Sequence, residues 1–369
     1  MTEANCPELS PKVAVVGCGN VGVRFAYALI ISGAARQLVM IDTDRRRAEG
    51  EVMDLCHGAP FIAPVDIRAG DYADSAGAEL VVVTAGKKQK PNQSRLDLAK
   101  DNVDLFREII PQIVQYSPQA KLLIATNPVD VLAYAAYRFS GKPAHEVIGS
   151  GTVLDSARFR FLLSRHCQVD ARNVHAYILG EHGDTEFAVW STAMIGGVRF
   201  ADYCRQCRFY PCCFQNPGLQ SRSISRDKAG VERKSAGFRS ETPGLSPREL
   251  HDEAGRQDQL EAIFSEVRDS AYQIIERKGE TSYGIGLAMV RIAQAMFNDE
   301  NAILPVSSLI DGYLGVRNVY LSLPAIVNRR GVRDVMRLDL NAAEQAAFIR
   351  SAEKMRQIIA DTGIETERR

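Results

Sequence analysis

A histidine in a polar turn and a charged pair on one helix are the side chains best suited to chemistry. His182 lies in the sequence GEHGD, and Asp155 and Arg158 stand three residues apart in a segment, 151–160, that begins a helix. Residues at that spacing share one helix face. A histidine placed against Asp155 would be a general acid–base whose tautomer the carboxylate fixes and whose pKa it raises, and Arg158 could bind a substrate carboxylate through two parallel hydrogen bonds. Taken alone, His182 would more often be a structural histidine and the other two a surface contact.

A glycine-rich motif near the N-terminus indicates a dinucleotide site. An apolar strand at 13–16 leads into GCGNVG, whose glycines are Gly17, Gly19 and Gly22, and an apolar helical pattern follows. A second strand ends at Asp42, about 20 residues beyond the last glycine, which is the spacing of a Rossmann fingerprint. The glycines would let the backbone approach a pyrophosphate at the helix N-terminus. Asp42 would bind ribose hydroxyls and repel a 2′-phosphate, which favours NAD over NADP; the alternative is a glycine-rich turn in an ordinary α/β unit.

Strands and helices alternate through the first half of the chain, which predicts a doubly wound parallel sheet of the Rossmann type. Further strands are expected at 66–69, 80–84, 121–125 and 147–150. Ligands bind at the carboxyl ends of such strands, so the polar run 87–95, which ends at Arg95, is a candidate lid over the cofactor cleft. Asn127 also follows a strand and could offer its amide to a substrate oxygen. The alternative interpretation of the polar run is a solvated charged loop.

Length and composition indicate a two-domain protein without a membrane or nucleic-acid partner. The chain has 369 residues, and its 45 basic side chains balance 45 acidic ones, so no global field favours nucleic acid or a membrane surface. No apolar run approaches the length that spans a bilayer. Residues 1–11 resemble a short flexible arm rather than a signal peptide. Eight cysteines without a disulfide framework fit a reducing, cytoplasmic environment.

Several segments, in matching order and spacing, make the chain resemble the lactate/malate dehydrogenase family. They are GCGNVG, VMIDTD, TAGKKQKPNQSRLDL, ATNPVD, SGTVLDSARFR, NVHAYILGEHGDTEFAVW, KGETSYGIGLA, LPVSSLIDG and VYLSLPAIVNRRGV, with a final amphipathic helix near 341–360. The resemblance implies a Rossmann NAD-binding domain at 12–150 and an α+β catalytic domain at 151–369. The implied reaction is reversible hydride transfer between NADH and pyruvate, giving (S)-lactate, the last step of lactate fermentation.

Carried over by position, the resemblance implies a role for each polar side chain of the site. His182 is the proton donor and acceptor, and Asp155 orients it. Arg158 binds the substrate carboxylate, and Arg95 polarises the carbonyl when the lid closes. The other implied substrate contacts are Gln89, Asn127 and Thr281, and no metal is expected.

The resemblance also implies a set of NAD-binding residues. They are Gly17, Gly19, Val21, Gly22, Asp42, Arg47, Tyr72, Gly86, Ala125, Asn127, Ser150 and Ile285. Arg47 stands where a lysine is common and belongs to a run of three arginines that is otherwise a solvated helix face. Tyr72 either borders the adenine or is a loop aromatic. Ile285 would pack on the nicotinamide, one helical turn after Thr281.

An arginine and a histidine outside the substrate site suggest regulation. Arg160 lies two residues beyond Arg158 and should point away from the substrate face, and His175 precedes His182 on an expected strand. In similar bacterial enzymes these positions bind fructose 1,6-bisphosphate across a subunit interface. The resemblance thus implies a homotetramer activated by this sugar bisphosphate; the alternative is that both are ordinary surface residues.

One segment, at about 204–256, departs from the family, which crosses this point with a short connection. Between 205 and 240 it holds eight Lys or Arg against two Asp or Glu, and its composition is typical of a disordered loop. Its four cysteines do not have the spacing of a standard zinc finger. We therefore favour an unstructured surface excursion, which could be retained non-coding sequence, over a zinc site or a basic patch for an anionic partner.

Three other functions stay open at this point. A malate or other 2-hydroxy acid dehydrogenase would differ in the group that faces the substrate side chain. Gln89 is neutral, so the second carboxylate of oxaloacetate would lose its hydration without gaining a cationic partner, which favours pyruvate. NAD-dependent glycosidases share the fold but need metal ligands at the nicotinamide end, where the sequence places no Cys/His pair. An inactive NAD-binding scaffold would not need the complete set of His182, Asp155 and Arg158.

Overall fold

The computed structural model describes residues 11–87, 94–206 and 253–364. In the first half, parallel strands alternate with helices. The strands are β1 (Lys12–Val16), β2 (Gln37–Ile41), β3 (Asp66–Gly70), β4 (Leu80–Val83), β5 (Lys121–Ile124) and β6 (Val147–Gly149). The helices are α1 (Asn20–Ser32), α2 (Arg45–His57), α3 (Arg95–Tyr116) and α4 (Val129–Ser140). The expected doubly wound sheet is confirmed, with the strand order β3-β2-β1-β4-β5-β6.

Burial on both faces explains why these strands are continuous apolar runs. In β1, Ala14 and Val16 pack into one hydrophobic cluster, whereas Val13 and Val15 pack into the other. Successive side chains of a strand point to opposite faces, so each face needs its own apolar residues and its own covering helices. The sheet is therefore the rigid centre of this half.

The second half adds helices and antiparallel strands. The elements are α5 (Val153–Cys167), β7 (Val174–Leu179), β8 (Phe187–Ile195), β9 (Val198–Arg199), α6 (Phe200–Gln206), α7 (Glu253–Lys278), α8 (Tyr283–Phe297), β10 (Ala302–Asp311), β11 (Arg317–Asn328), β12 (Gly331–Val335) and α9 (Ala342–Asp361). Strands β7, β8 and β9 form a separate antiparallel sheet. Strand β10 pairs antiparallel with β6, so β10, β11 and β12 extend the parallel sheet to nine strands.

The carboxyl ends of the parallel strands gather the predicted polar and glycine positions along one edge. Asp42 follows β2, Gly86 lies just beyond β4, Asn127 follows β5 and Ser150 follows β6. This is the edge at which open α/β sheets bind ligands. The fold thus places residues that are far apart in sequence along one edge of the sheet.

Several expectations concern residues outside the described part of the chain. These are the arm at 1–11 except its last residue, most of the lid at 87–95, and most of the segment at 204–256. At the approximate bounds of this segment, α6 continues to Gln206 and α7 begins at Glu253. Good helix formers at both ends extend these helices. Within the described ranges, no helix combines the length and apolar character needed to cross a membrane.

Candidate active site

His182, Asp155 and Arg158 meet between a helix and a loop. Asp155 and Arg158 lie one turn apart in α5, and His182 lies in the loop between β7 and β8. His182 Nδ1 is 2.6 Å from Asp155 Oδ2, and Arg158 Nη1 donates to Asp155 Oδ1 at 2.7 Å. Asp155 is 2% exposed. Both of its oxygens are therefore satisfied inside the protein, as a buried carboxylate requires.

The charges around His182 favour its protonated form. Burial opposes this and would lower the pKa of His182, but the charge and hydrogen bond of Asp155, with help from Glu186 and Asp130, raise it to about 9. Burial likewise opposes ionisation of Asp155, yet His182 and Arg158 hold the pKa of that carboxyl below its usual range. At neutral pH the pair is an imidazolium beside a carboxylate, which is the form that can donate a proton.

A buried carboxylate that the sequence reasoning did not assign to the site holds the backbone at His182. Asp130, in the first turn of α4, accepts from the His182 N–H at 2.7 Å and from Ser307 Oγ at 2.5 Å. Burial raises the pKa of Asp130 to about 7. This one side chain joins α4, β10 and the loop of His182. The sequence feature that could have identified Asp130 is an acidic residue at the start of an otherwise apolar helix, directly after the Asn-Pro turn.

A second unassigned carboxyl group, Glu186, faces His182 from the residue before β8. An oxygen of Glu186, an oxygen of Asp155 and a ring nitrogen of His182 lie within 4.8 Å of one another. Glu186 is 8% exposed, and burial together with the charge of Asp155 raises its pKa to about 8. In the sequence it stands in a polar turn, where an acidic residue is normally solvated, so its burial could not be foreseen.

Asp155, His182 and Glu186 are residue types that can also bind a divalent metal ion, which bears on the glycosidase alternative. Both oxygens of Asp155 are already hydrogen bonded, one to His182 and one to Arg158. A metal ion would have to displace the imidazole or the guanidinium. The geometry therefore supports acid–base chemistry at His182 over metal coordination.

A cavity of about 440 Å³ opens in front of these groups. The predicted residues that line it are Arg95, Asn127, Asp155, Arg158 and His182. Tyr272 and Ile275 of α7 also line it. Thr281 is partly buried before α8 and is not among the described residues that line this cavity. Gln89 lies outside the described residues.

Arg95 lies at the edge of the cavity, at the start of α3. Its side chain is 64% exposed and forms an ion pair with Asp184. Its Nη2 also donates to the hydroxyl of Tyr272 at 2.6 Å. In this arrangement the guanidinium is held by α7 and by the loop of His182, so it must exchange these partners before it can contact a substrate carbonyl.

The glycine-rich turn has the shape that a dinucleotide requires. Gly17 adopts a φ of +106°, and a Cβ on Gly22 would lie 2.1 Å from the carbonyl oxygen of Gly17. Gly22 is therefore what allows α1 to pack on the turn. None of the described atoms beyond its chain neighbours comes within 4 Å of a Cβ placed on Gly19, and α1 has no side-chain cap and no acidic residue in its first turn. Open space and uncapped N–H groups suit a pyrophosphate.

Asp42 lies beside the same turn. It accepts hydrogen bonds from the Cys18 N–H at 2.6 Å and from the Asp44 N–H at 2.9 Å. Burial, and then the charge of Asp42, raise the pKa of Tyr72, which places this ring near the expected adenosine end. Arg47 is exposed and pairs with Glu51 at 3.9 Å, as on a solvated helix face.

The other predicted cofactor residues lie along the same edge of the sheet or on two helices beside it. Gly86, Ala125, Asn127 and Ser150 lie beyond the ends of β4, β5 and β6. Val21 lies in α1 and Ile285 in α8, and these two helices pack together. Their contact is close, because a Cβ on Gly286 would lie 3.0 Å from the backbone of Arg24. Asn127 is the member of this set that also lines the cavity in front of His182.

The predicted regulatory residues face away from the cavity. Arg158 lines the cavity, whereas Arg160 Nη2 donates to the carbonyl oxygen of Ala171 at 3.4 Å. His175 is exposed on β7, and β7 packs on α5. Arg160 and His175 therefore lie on two elements of the chain that pack together.

Comparison with known proteins gives matches over nearly the whole chain. The model of the lactate/malate dehydrogenase NAD binding domain matches residues 11–149, and that of the lactate/malate dehydrogenase alpha/beta C-terminal domain matches 152–210 and 243–365. The second match omits 211–242, inside the segment that departs from the family.

Curated relatives and solved structures agree with these matches. The L-lactate dehydrogenase of Thermoanaerobacter sp. (strain X514) is 43% identical over 353 residues, which cover 96% of this chain and 99% of that protein. The L-lactate dehydrogenase of Geobacillus sp. (strain WCH70) is 44% identical over 350 residues, which cover 95% and 96%. A lactate dehydrogenase from a Medee basin deep-sea metagenome library superposes with a TM-score of 0.82 at 40% identity, covering 97% of this chain and 100% of the solved chain.

Proposed function

Because the chain belongs to the lactate/malate dehydrogenase family, we propose that it is an NAD-dependent oxidoreductase that converts pyruvate to (S)-lactate and the reverse. The observation that carries this proposal is the pairing of His182 and Arg158 with one buried carboxylate, Asp155, at the wall of a single cavity. A proton donor and a carboxylate-binding guanidinium that are bound to the same carboxylate suit a small 2-oxo acid.

Each side chain of the site has a separate role in the proposed reaction. Arg158 binds the carboxylate of pyruvate. His182 gives its proton to the carbonyl oxygen, and Asp155 stabilises the imidazolium until that transfer. Arg95 leaves Asp184 and Tyr272 and stabilises the negative charge that develops on the carbonyl oxygen. Bound NADH supplies the hydride that the carbonyl carbon receives.

NAD would bind along the edge of the sheet that carries the glycine-rich turn. Gly17, Gly19, Val21 and Gly22 would hold its pyrophosphate at the N-terminus of α1. Asp42 binds the adenosine ribose, and Tyr72 and Arg47 border the adenosine. Toward the nicotinamide the remaining contacts are Gly86, Ala125, Asn127, Ser150 and Ile285. Asn127 lines the substrate cavity, whereas the structure gives no support for the substrate contact that the resemblance implies for Thr281.

Substrate choice is assigned to Gln89, which is neutral and so offers no partner for a second carboxylate. We expect the value of kcat/KM, followed by NADH absorbance, to be higher for pyruvate than for oxaloacetate or a longer 2-oxo acid. Gln89→Arg should raise oxaloacetate reduction and depress pyruvate reduction. Gln93→Arg, which adds the same charge to the same polar run, should not invert the preference. A wild-type enzyme that prefers oxaloacetate would make malate the substrate.

The enzyme is proposed to be a cytoplasmic homotetramer. Support for self-association comes from large apolar side chains that a single chain leaves exposed on α1, α2, α8 and the turn after α2, namely Tyr27, Ile31, Met53, Phe61, Tyr283 and Leu287. Tyr27, Ile31 and Phe61 line one surface pocket, and a contiguous exposed apolar patch marks an interaction surface. Sedimentation or light scattering at micromolar protein concentration measures the assembly; a monomer would refute it.

Fructose 1,6-bisphosphate is the proposed activator, bound by Arg160 and His175 of neighbouring subunits. Repeated across a two-fold axis, these cations repel one another until an anion neutralises them. We expect the bisphosphate to lower the pyruvate KM. Arg160→Gln should abolish the effect, whereas Arg172→Gln, an exposed neighbour with the same charge change, should retain it. An equal response of wild type and Arg160→Gln would exclude this site.

A further inference from the structure

Glu186 has an environment that the proposed roles do not explain. Its side chain is 8% exposed, and its carboxyl oxygens form no hydrogen bond with the described residues. It lines the same cavity as His182 and Arg158. Burying a carboxyl group without a hydrogen-bond partner costs free energy. A functional role beside the imidazolium of His182 would explain the position of Glu186.

The other acidic side chains around His182 already have hydrogen-bond or ion-pair partners. From α5, Asp155 is bound to His182 and Arg158. From α4, Asp130 is bound to the backbone of His182 and to Ser307. On the loop itself, Glu181 is hydrogen bonded to Thr185, and Asp184 is paired with Arg95 and lies 4.0 Å from Lys354. Glu186 interacts through space with His182, whose ring nitrogen lies within 4.8 Å of one of its oxygens. His182 and, more weakly, Arg158 favour the ionised form of Glu186, whereas Asp155 and Glu181 oppose it.

We propose that Glu186 is a positioning residue that acts through His182 and sets the pH at which the enzyme changes from pyruvate reduction to lactate oxidation. Pyruvate reduction needs a protonated His182, and lactate oxidation needs a neutral one. An ionised Glu186 at this distance stabilises the imidazolium by direct Coulomb attraction. This inference rests on the proposed function.

The protonation state of Glu186 gives the effect a pH window. The pKa of Glu186 is raised to about 8 and that of His182 to about 9. Near pH 6 Glu186 carries its own proton and contributes little. Above about pH 7.5 it ionises and holds the proton on His182, which extends pyruvate reduction to higher pH.

The first test is the pH profile of pyruvate kcat/KM for Glu186→Gln. We expect values close to those of wild type near pH 6, and a fall on the alkaline side that begins about one pH unit earlier, so that the loss is about fivefold near pH 9 and approaches tenfold at higher pH. Glu186→Asp, which keeps the charge, should recover part of the shift. Glu353→Gln, an exposed site on α9 with the same charge change, should keep the wild-type profile.

A second readout is independent of turnover. The imidazole of His182 can be titrated in the enzyme without substrate by NMR of nitrogen-15-labelled histidine, with its signal assigned by its loss in His182→Asn. We expect Glu186→Gln to lower the pKa of His182 by about one unit. An unchanged pKa, or an activity loss that is equal at every pH, would overturn the proposal. A shifted pKa in an enzyme that does not reduce pyruvate would instead refute the proposed function.

Discussion

The pKa of His182, the proposed acid–base residue, is set by two opposing effects, burial and the charge of the neighbouring carboxylates. His182 would lose its proton on burial, but the neighbouring carboxylates reverse that effect. The helix spacing of Asp155 and Arg158 supplies one of these carboxylates and also keeps it ionised. The local chemistry therefore comes from three residues whose types are visible in the sequence.

Replacing the proton donor tests its role directly. We expect His182→Asn to lower kcat/KM for pyruvate by roughly 100- to 10,000-fold, the usual effect of losing a general acid. NADH binding, measured by fluorescence, should remain, because the glycine-rich turn is untouched. His57→Asn, at an exposed site in α2, should be fully active. Comparable turnover by His182→Asn and wild type would remove the histidine from the mechanism.

Asp130 should make folding stability depend on pH. Burial raises its pKa to about 7, whereas the unfolded chain ionises near the ordinary value of about 4. The folded state therefore holds the proton more tightly, and this contribution to stability is lost as pH rises through 7. Between pH 5 and 8 wild type should lose on the order of 2–3 kcal/mol of unfolding free energy through this group.

Urea unfolding at the two pH values measures this loss. In Asp130→Asn the difference between pH 5 and pH 8 should shrink by that amount. Asp54→Asn, at an exposed carboxyl group on α2, should keep the wild-type difference. If Asp130→Asn also kept the full difference, another group would carry the pH dependence.

At the scale of elements, the glycine-rich turn after β1 packs closely against α1, and its glycines make this contact possible. Gly22→Ala would put a Cβ 2.1 Å from the Gly17 oxygen and 2.6 Å from Thr84 Oγ1. We expect this variant to lose thermal stability without cofactor, by several kelvin or more, or to be insoluble. Gly19→Ala meets open space, so it should keep the wild-type Tm and weaken NADH binding. Equal Tm values for the two variants would contradict the packing role of Gly22.

The sequence predicted the elements whose signals are local. The strand, the glycines and Asp42 lie within one short stretch, and the helix spacing of Asp155 and Arg158 is also local. The attachment of β10 to β6 is not local, because Ser307 pairs with Gly149 across the chain. Asp130 and Glu186 were missed for the same reason. Both side chains are buried by elements that are distant in the sequence. The residues next to them in the sequence do not indicate this burial.

At the scale of the whole molecule, one nine-stranded sheet joins the two halves, and the cavity is lined by residues from both halves. The family model omits residues 211–242, and the described residues that line the proposed cavity all lie outside this range. We expect a chain without 211–242 to fold and to reduce pyruvate within about threefold of wild type. Soluble yield, Tm and kcat/KM measure this. An inactive or insoluble product would show that the segment is needed for assembly.

The central claim is that this fold transfers a hydride from NADH to pyruvate. The most direct measurement is the product formed from pyruvate and NADH carrying deuterium at both C4 positions, analysed by chiral chromatography and mass spectrometry. We expect (S)-lactate with one deuterium at C2, and none of it from His182→Asn on the same time scale. An unlabelled product, (R)-lactate, or no conversion by the wild-type enzyme would contradict the claim.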